Sequence, residues 1–396
     1  MENLEPRLNS RLTTSSLFLG LVSVLMLLSS VVIIEPAPYE LILTGLILLA
    51  LIGFRITFTP SLTVPSALLA LFTFANLISM YFAQDIVRGV RYFVITAYLA
   101  VSWYFFAWML GKFRMNGMSV IFTGYALTAL FSATIGILGF FQLVPFSELL
   151  LKYGRITGFF KDPNVFGPFL VPVSMLALFK IKASEGKGKV FWMTTFLITS
   201  FGVLLSMSRA AWANYAMTLV LSLAMPNSLK LKHKLLLVVA VVIMVLIGGL
   251  YLMNDPTLST LLAARMSLQS YGAHRFGTQL TALETAMEHP LGAGPGQADV
   301  IFWMSTHSLY MRILVENGWF ALVAFLCFVL TSIGRAFWIA LRSAPQNKLY
   351  FTICFAALVG LMLNSFVIDS LHWRHFWLLL ALPWVPYAAT VSHHPR

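Results

Sequence analysis

The chain has almost nothing with which to build a soluble surface. Only 10% of its 396 residues are charged and just 14 are acidic. Soluble domains carry about a quarter charged residues, so this shortage excludes that class. Cysteine is equally scarce. The two present, Cys327 and Cys354, both lie inside apolar runs, which excludes a disulfide-built scaffold. There is no tandem repeat and no low-complexity tract. What the chain has instead is apolar length: 59% of residues are hydrophobic, and mean hydropathy is +0.85. Runs such as Leu17–Ile34 and Leu235–Met253, at about 20 residues each, are long enough to cross a bilayer.

The expected architecture is an all-α polytopic membrane protein, a single transmembrane domain over 1–396 with no soluble domain. Apolar periodicity gives about twelve spans: 14–34, 39–54, 65–82, 92–110, 119–142, 167–181, 190–206, 209–226, 235–253, 318–340, 349–368 and 373–390. No small-residue cleavage site follows the first apolar core, so the first span is expected to be retained. One set of span ends holds 16 of the 26 basic residues, including every short cluster of three or more, such as Lys230, Lys232 and Lys234. The positive-inside rule puts those ends, and both termini, in the cytoplasm.

The opposite set of ends is mostly arginine, which stays charged and forks onto phosphate oxygens. A net charge of +12 suggests nucleic acid in a soluble protein. Here the lysines follow topology and the outer arginines suit an anionic substrate, so no nucleic-acid partner is expected. Two outer segments exceed simple turns, at 143–166 and 254–317. The second carries an amphipathic helix predicted over Gly277–Glu288 and a glycine-rich turn, Pro290-Leu291-Gly292-Ala293-Gly294-Pro295-Gly296.

Four outer motifs carry chemistry. The first runs from Tyr153 through Arg155 to Gly167, where Asp162-Pro163 is a helix N-cap and first-turn pair. Arg155 is either a snorkelling side chain or a phosphate clamp. The second, Ser206-Met207-Ser208-Arg209-Ala210, joins two spans with almost no loop, which puts Arg209 near hydrocarbon depth. It is either ion-paired or ligand-binding. The third is His274-Arg275 with the glycine turn, whose backbone could cradle an anion. Glu284 and Glu288 share a helix face there, more simply as exposed like charges than as a metal pair. The fourth is Thr306-His307-Ser308-Leu309-Tyr310-Met311-Arg312, ending in Glu316-Asn317-Gly318. If this segment is helical, His307, Tyr310, Met311 and Leu314 share a face, and Arg312 pairs with Glu316 four residues on. His307 is either a structural interfacial residue or a base, since an imidazole with a pKa near ~6.5 suits proton transfer. His372 and His375 flank Trp373-Arg374 with no third ligand apparent, and read as an interfacial aromatic belt.

Together these motifs resemble the O-antigen ligase / O-antigen polymerase superfamily, and the ligases more than the polymerases. The resemblance covers about 150–320 by motif, and 306–319 is its most specific part. It implies a GT-C-like membrane glycosyltransferase working without metal or other cofactor on the periplasmic side of the bacterial inner membrane. The implied donor is a glycan on polyprenyl (undecaprenyl) pyrophosphate. The implied acceptor is a sugar of the lipid A core for a ligase, or another lipid-linked repeat for a polymerase. The family's histidine falls on His307 as the catalytic residue, and its arginines fall on Arg155, Arg275 and Arg209 as pyrophosphate ligands. A transporter for an anionic lipid is the reading from another class, although no related halves are visible.

Overall fold

The computed structural model describes residues 5–386 except 55, 58, 227–230, 255–258, 261–262, 264–269 and 304. Side chains are also left out at 5–14 and at several positions within 231–276, among them His274 and Arg275. The described helices are α1 (Glu5–Leu27), α2 (Pro38–Gly53), α3 (Thr63–Ser79), α4 (Ile86–Phe140), α5 (Pro163–Ala183), α6 (Gly186–Leu205), α7 (Arg209–Ala224), α8 (Leu231–Asn254), α9 (Ser270–Glu288), α10 (Ala298–Ile301), α11 (Leu309–Arg342), α12 (Pro345–Asn364) and α13 (Arg374–Ala381). Two two-residue strands, β1 (Leu151–Lys152) and β2 (Arg155–Ile156), pair antiparallel and are the only strands among the described residues.

Six of these helices are long and apolar enough to cross a bilayer. Among them α4 is two helices joined at Arg114, whose φ of 50° breaks the run between Lys112 and Asn116. The exterior is apolar: Leu41, Ile52, Val220 and Leu330 are more than half exposed. In water such a belt would aggregate, whereas against lipid it is the solvated surface. The interior is aromatic. Trp103, Phe328, Phe325 and Trp377 interlock with centroids 5.2–6.3 Å apart, and all four are fully buried. Neither cysteine is bonded.

Three local expectations change. The helix predicted over 277–288 begins at Ser270, about two turns earlier. His307 does not lie on the helical face proposed for it: Ser308 is the N-cap, accepting from the Met311 amide at 3.5 Å, and α11 starts at Leu309. The third change is that the segment before 318 and the span expected over 318–340 run on as one element, α11, which is broken at Gly318, where φ is 84° and ψ 177°. The Asp162 cap forms as the sequence requires, accepting from the Asn164 amide at 2.7 Å.

The break at Gly318 interlocks with the glycine turn. The Trp319 amide donates to Pro290 O, and the Ala293 and Gly294 amides donate to Val315 O and Glu316 O. These two turn amides therefore serve the fold, and the anion the turn does meet is an internal one: the Gly296 backbone and the Ala298 amide, the latter at 3.3 Å, bond the Glu316 carboxylate. A Cβ on Gly318 would sit 2.4 Å from Pro290 O. Gly318→Ala should therefore cost on the order of 2–5 kcal/mol, from strain at positive φ plus overpacking. Thermal melting of the detergent-purified variant measures this, and an unchanged melt would refute the interlock.

Candidate active site

The four motifs are far apart in the chain, and a series of contacts joins them. Arg155, in β2, is buried; its Nε donates to Ser206 O at 2.8 Å and its Nη2 to Asn164 Oδ1 at 2.9 Å. It thus ties the first outer loop to the turn before Arg209. Gly167 makes this approach possible, since a Cβ there would lie 2.6 Å from the Ala211 Cβ. Arg209 is the first residue of α7, and it is exposed.

Helix α7 runs antiparallel to α12. Asn214 and Thr218 press on Gly360, whose Cβ would fall within 2.4 Å of both side chains, and Thr218 Oγ1 donates to Ala356 O. At ~1.5 Å rise per residue, this register brings Arg209 level with the end of α12 at Ser365. Ser365 O accepts the Leu309 amide at 3.1 Å. On the other side, Gln279 of α9 donates from Nε2 to Thr306 O and to Phe366 O. Arg275 lies one turn before Gln279 on α9, so its backbone is beside this junction; its side chain is outside the described set. The segments that carry Arg155, Arg209 and His307 therefore lie along one series of contacts, with the backbone of α9 beside it.

The backbone there is strained. Five described non-glycine residues have positive φ. Three of them are His307 itself (47°), Met207 two residues before Arg209, and Tyr153 two residues before Arg155. Each costs about 1–3 kcal/mol and persists only where its surroundings impose it. Beside His307, Thr306 Oγ1 is buried without a protein partner, and so are both polar atoms of Asn364. Native interiors usually pair such groups, so polar capacity remains inside this junction. Thr306 opens the fourth motif but was given no role there, and Asn364 carries neither charge nor motif to mark it in the sequence.

Next to this junction lies a charge cluster centred on Arg312. Its Nη1 meets Asp369 at 2.7 Å, its Nη2 meets Asp299 at 2.8 Å, and its Nε lies 3.3 Å from Glu316. The i,i+4 pair expected from sequence is present, with two further carboxylates from distant segments. Asp299 also takes Arg88 at 2.8 Å and the Tyr92 hydroxyl at 3.1 Å. Burial works to raise the Asp299 carboxyl, but Arg312 and the hydrogen bonds from Tyr92, Arg312 and Arg88 hold it below the usual carboxylate range. Gln297 grips both backbone groups of Asp85, which docks the glycine turn on the start of α4.

The aromatic belt expected at 372–375 folds inward instead. His372 Nε2 lies 3.0 Å from Thr96 Oγ1, and its ring stands 5.5 Å from Tyr92. Burial, with Arg312 adding to it and Asp369 opposing, pushes His372 down to about 4. An unfolded histidine titrates near ~6.5, so below that pH proton uptake favours the unfolded chain. Stability should be full above pH ~6.5 and fall progressively towards pH 4. Melting of the wild type and of His372→Asn across this window checks the assignment; equal acid loss in both would sink it.

The fold thus defines an all-α membrane protein in which contacts link the segment of Arg155 to the turn before Arg209, and the segment of His307 to α9 and to the end of α12. Residues 194–326 match the family model described as O-antigen ligase, and the match supports the resemblance to the O-antigen ligase / O-antigen polymerase superfamily. The matched segment contains Arg209, Arg275 and His307, and leaves Arg155 outside. No curated protein matches the chain. The family match supports a function of the ligase or polymerase type, with a membrane and a lipid-linked glycan as its setting.

Proposed function

We propose that the chain is a ligase-type glycosyltransferase. It moves a glycan from polyprenyl pyrophosphate to an acceptor sugar of the lipid A core, on the periplasmic side of the inner membrane, with twelve spans and both termini cytoplasmic. The observation that carries this reading is the contact path joining the Arg155, Arg209 and His307 motifs, beside buried polar atoms that no protein group satisfies.

In this mechanism His307 accepts the proton of the acceptor hydroxyl as that oxygen bonds to the anomeric carbon. The bond from that carbon to the pyrophosphate oxygen breaks, and lipid pyrophosphate leaves with the electron pair. A single displacement inverts the carbon. Arg209, exposed at the start of α7, and Arg275 hold the pyrophosphate and stabilise its developing charge. Arg155 supports them by fixing the turn before Arg209, because two of its nitrogens are committed to Ser206 and Asn164.

Reconstitution tests this. Purified protein in lipid is given a polyprenyl-pyrophosphate glycan with and without lipid A core. Product that requires lipid A core is the expected result. Product from the donor alone would make the protein a polymerase, and donor crossing the bilayer without product would make it a transporter.

A further inference from the structure

A cavity of about 200 Å³ lies between α1, α13 and the loop leading into α5. Tyr39, Phe160, Phe169 and Trp373 give it aromatic walls, and His375 lines it. His375 is 5% exposed, and its Nε2 has no protein partner. The imidazole is held by ring contacts alone: it stacks on Trp373 at 5.4 Å and meets Phe169 edge-on at 5.7 Å. A buried polar nitrogen left unpaired costs about 1–3 kcal/mol, so this atom points to something that occupies the cavity.

The charges around the cavity are paired. Lys161 Nζ lies 3.0 Å from Glu35, Asp162 lies 3.9 Å from Lys152, and Arg374 is ion-paired with Glu40. A phosphate here would meet the Glu35 and Asp162 carboxylates with no uncompensated cation to receive it. A lipid tail would leave His375 Nε2 and the ionised rim facing hydrocarbon, which is costly. A sugar ring fits both demands. Its C–H face packs on aromatic walls while its hydroxyls reach the imidazole and the Glu35–Lys161 pair. At ~30 Å³ per water the volume is about seven waters, the scale of one ring rather than a chain.

We infer that this cavity is a saccharide subsite that takes one sugar ring. Its walls connect it to the candidate active site. Lys161 and Asp162 share a loop with Arg155, and Trp373 follows by four residues the Asp369 that pairs with Arg312. That the ring belongs to the transferred or accepting glycan rests on the transferase reading; sugar binding itself does not.

The test uses full-length protein in lipid nanodiscs and free sugars: hexoses, 6-deoxyhexoses and N-acetylhexosamines, each offered alone and followed by saturation-transfer NMR. At least one should bind and resist displacement by inorganic pyrophosphate. Binding should weaken about tenfold in Lys161→Met, the loss of about one good hydrogen bond. Lys161 is half exposed, so that variant should fold. His375→Ala should weaken it similarly, with partial recovery in His375→Gln, whose amide still donates and accepts. No binding to wild type, displacement by pyrophosphate, or binding unaltered in Lys161→Met and His375→Ala variants of normal melting temperature would each overturn the subsite. Displacement of the sugar by lipid-linked donor assigns the ring to the donor, and displacement by lipid A core assigns it to the acceptor. Displacement by neither overturns its link to transfer. A protein that binds sugar but transfers nothing would sink the transferase reading and leave the subsite standing.

Discussion

Replacing His307 by alanine is expected to abolish glycan transfer while leaving the protein folded and inserted. The imidazole is suited to take a proton from a hydroxyl near neutral pH, and positioned bases contribute about 10²–10⁴-fold. Its backbone, at φ 47°, is held by the Ser308 cap, by Leu309 on Ser365 and by Gln279 on Thr306, none of which uses the imidazole. The substitution should therefore remove the base while these backbone contacts remain. Reconstituted transfer would fall by about two to four orders of magnitude, with melting temperature and donor binding near wild type. His307→Gln, which keeps a hydrogen bond but no basic nitrogen, should be equally inactive. Full activity in either variant would end the role proposed for His307.

Replacing Arg312 by methionine should unfold more protein than any other single substitution at this end of the bundle. The side chain answers three carboxylates, and Glu316 among them is 2% exposed. Removing one partner of a buried ion pair costs about 3–5 kcal/mol, because the remaining charge has no solvent to return to. Asp299 would keep Arg88, but Asp369 and Glu316 would lose their cation. Arg312→Lys should recover little, since one ammonium does not reproduce a planar fork that reaches three acceptors. Melting in detergent reads the effect, and a loss below about 1 kcal/mol would show the cluster to be solvated. Because the cluster anchors Asp369 and hence the 365–371 loop on which Leu309 bonds, partial unfolding should also lower transfer, an effect that recovers at lower temperature. His307→Ala should show no such recovery.

Much of this was legible along the chain. Apolar run length gave an all-α membrane class. The Asp162 cap and the Arg312–Glu316 pair were visible because both depend on neighbours within one helical turn. The His307 motif was visible because its residue types are rare in a chain with so few charges. Less legible was the job of each arginine. Arg155 and Arg209 look alike as isolated cations beside apolar residues, yet one is buried against Ser206 and Asn164 while the other is exposed at a helix start.

The sequence by itself determined the class and the local chemistry: which segments avoid water, where helices start, and which side chains can hold phosphate or move a proton. Those follow from composition and from spacing over three or four residues. Only the tertiary structure decided what those side chains meet. It brought Asp299 and Asp369 to Arg312, Gln279 to Thr306, and His375 into a cavity with Lys161. The physical reason is that apolar periodicity reports which face of a helix is buried and not which helix it is buried against. That choice is made by close fits such as Gly360 on Asn214 and Gly318 on Pro290, where the absence of a Cβ lets two distant segments touch.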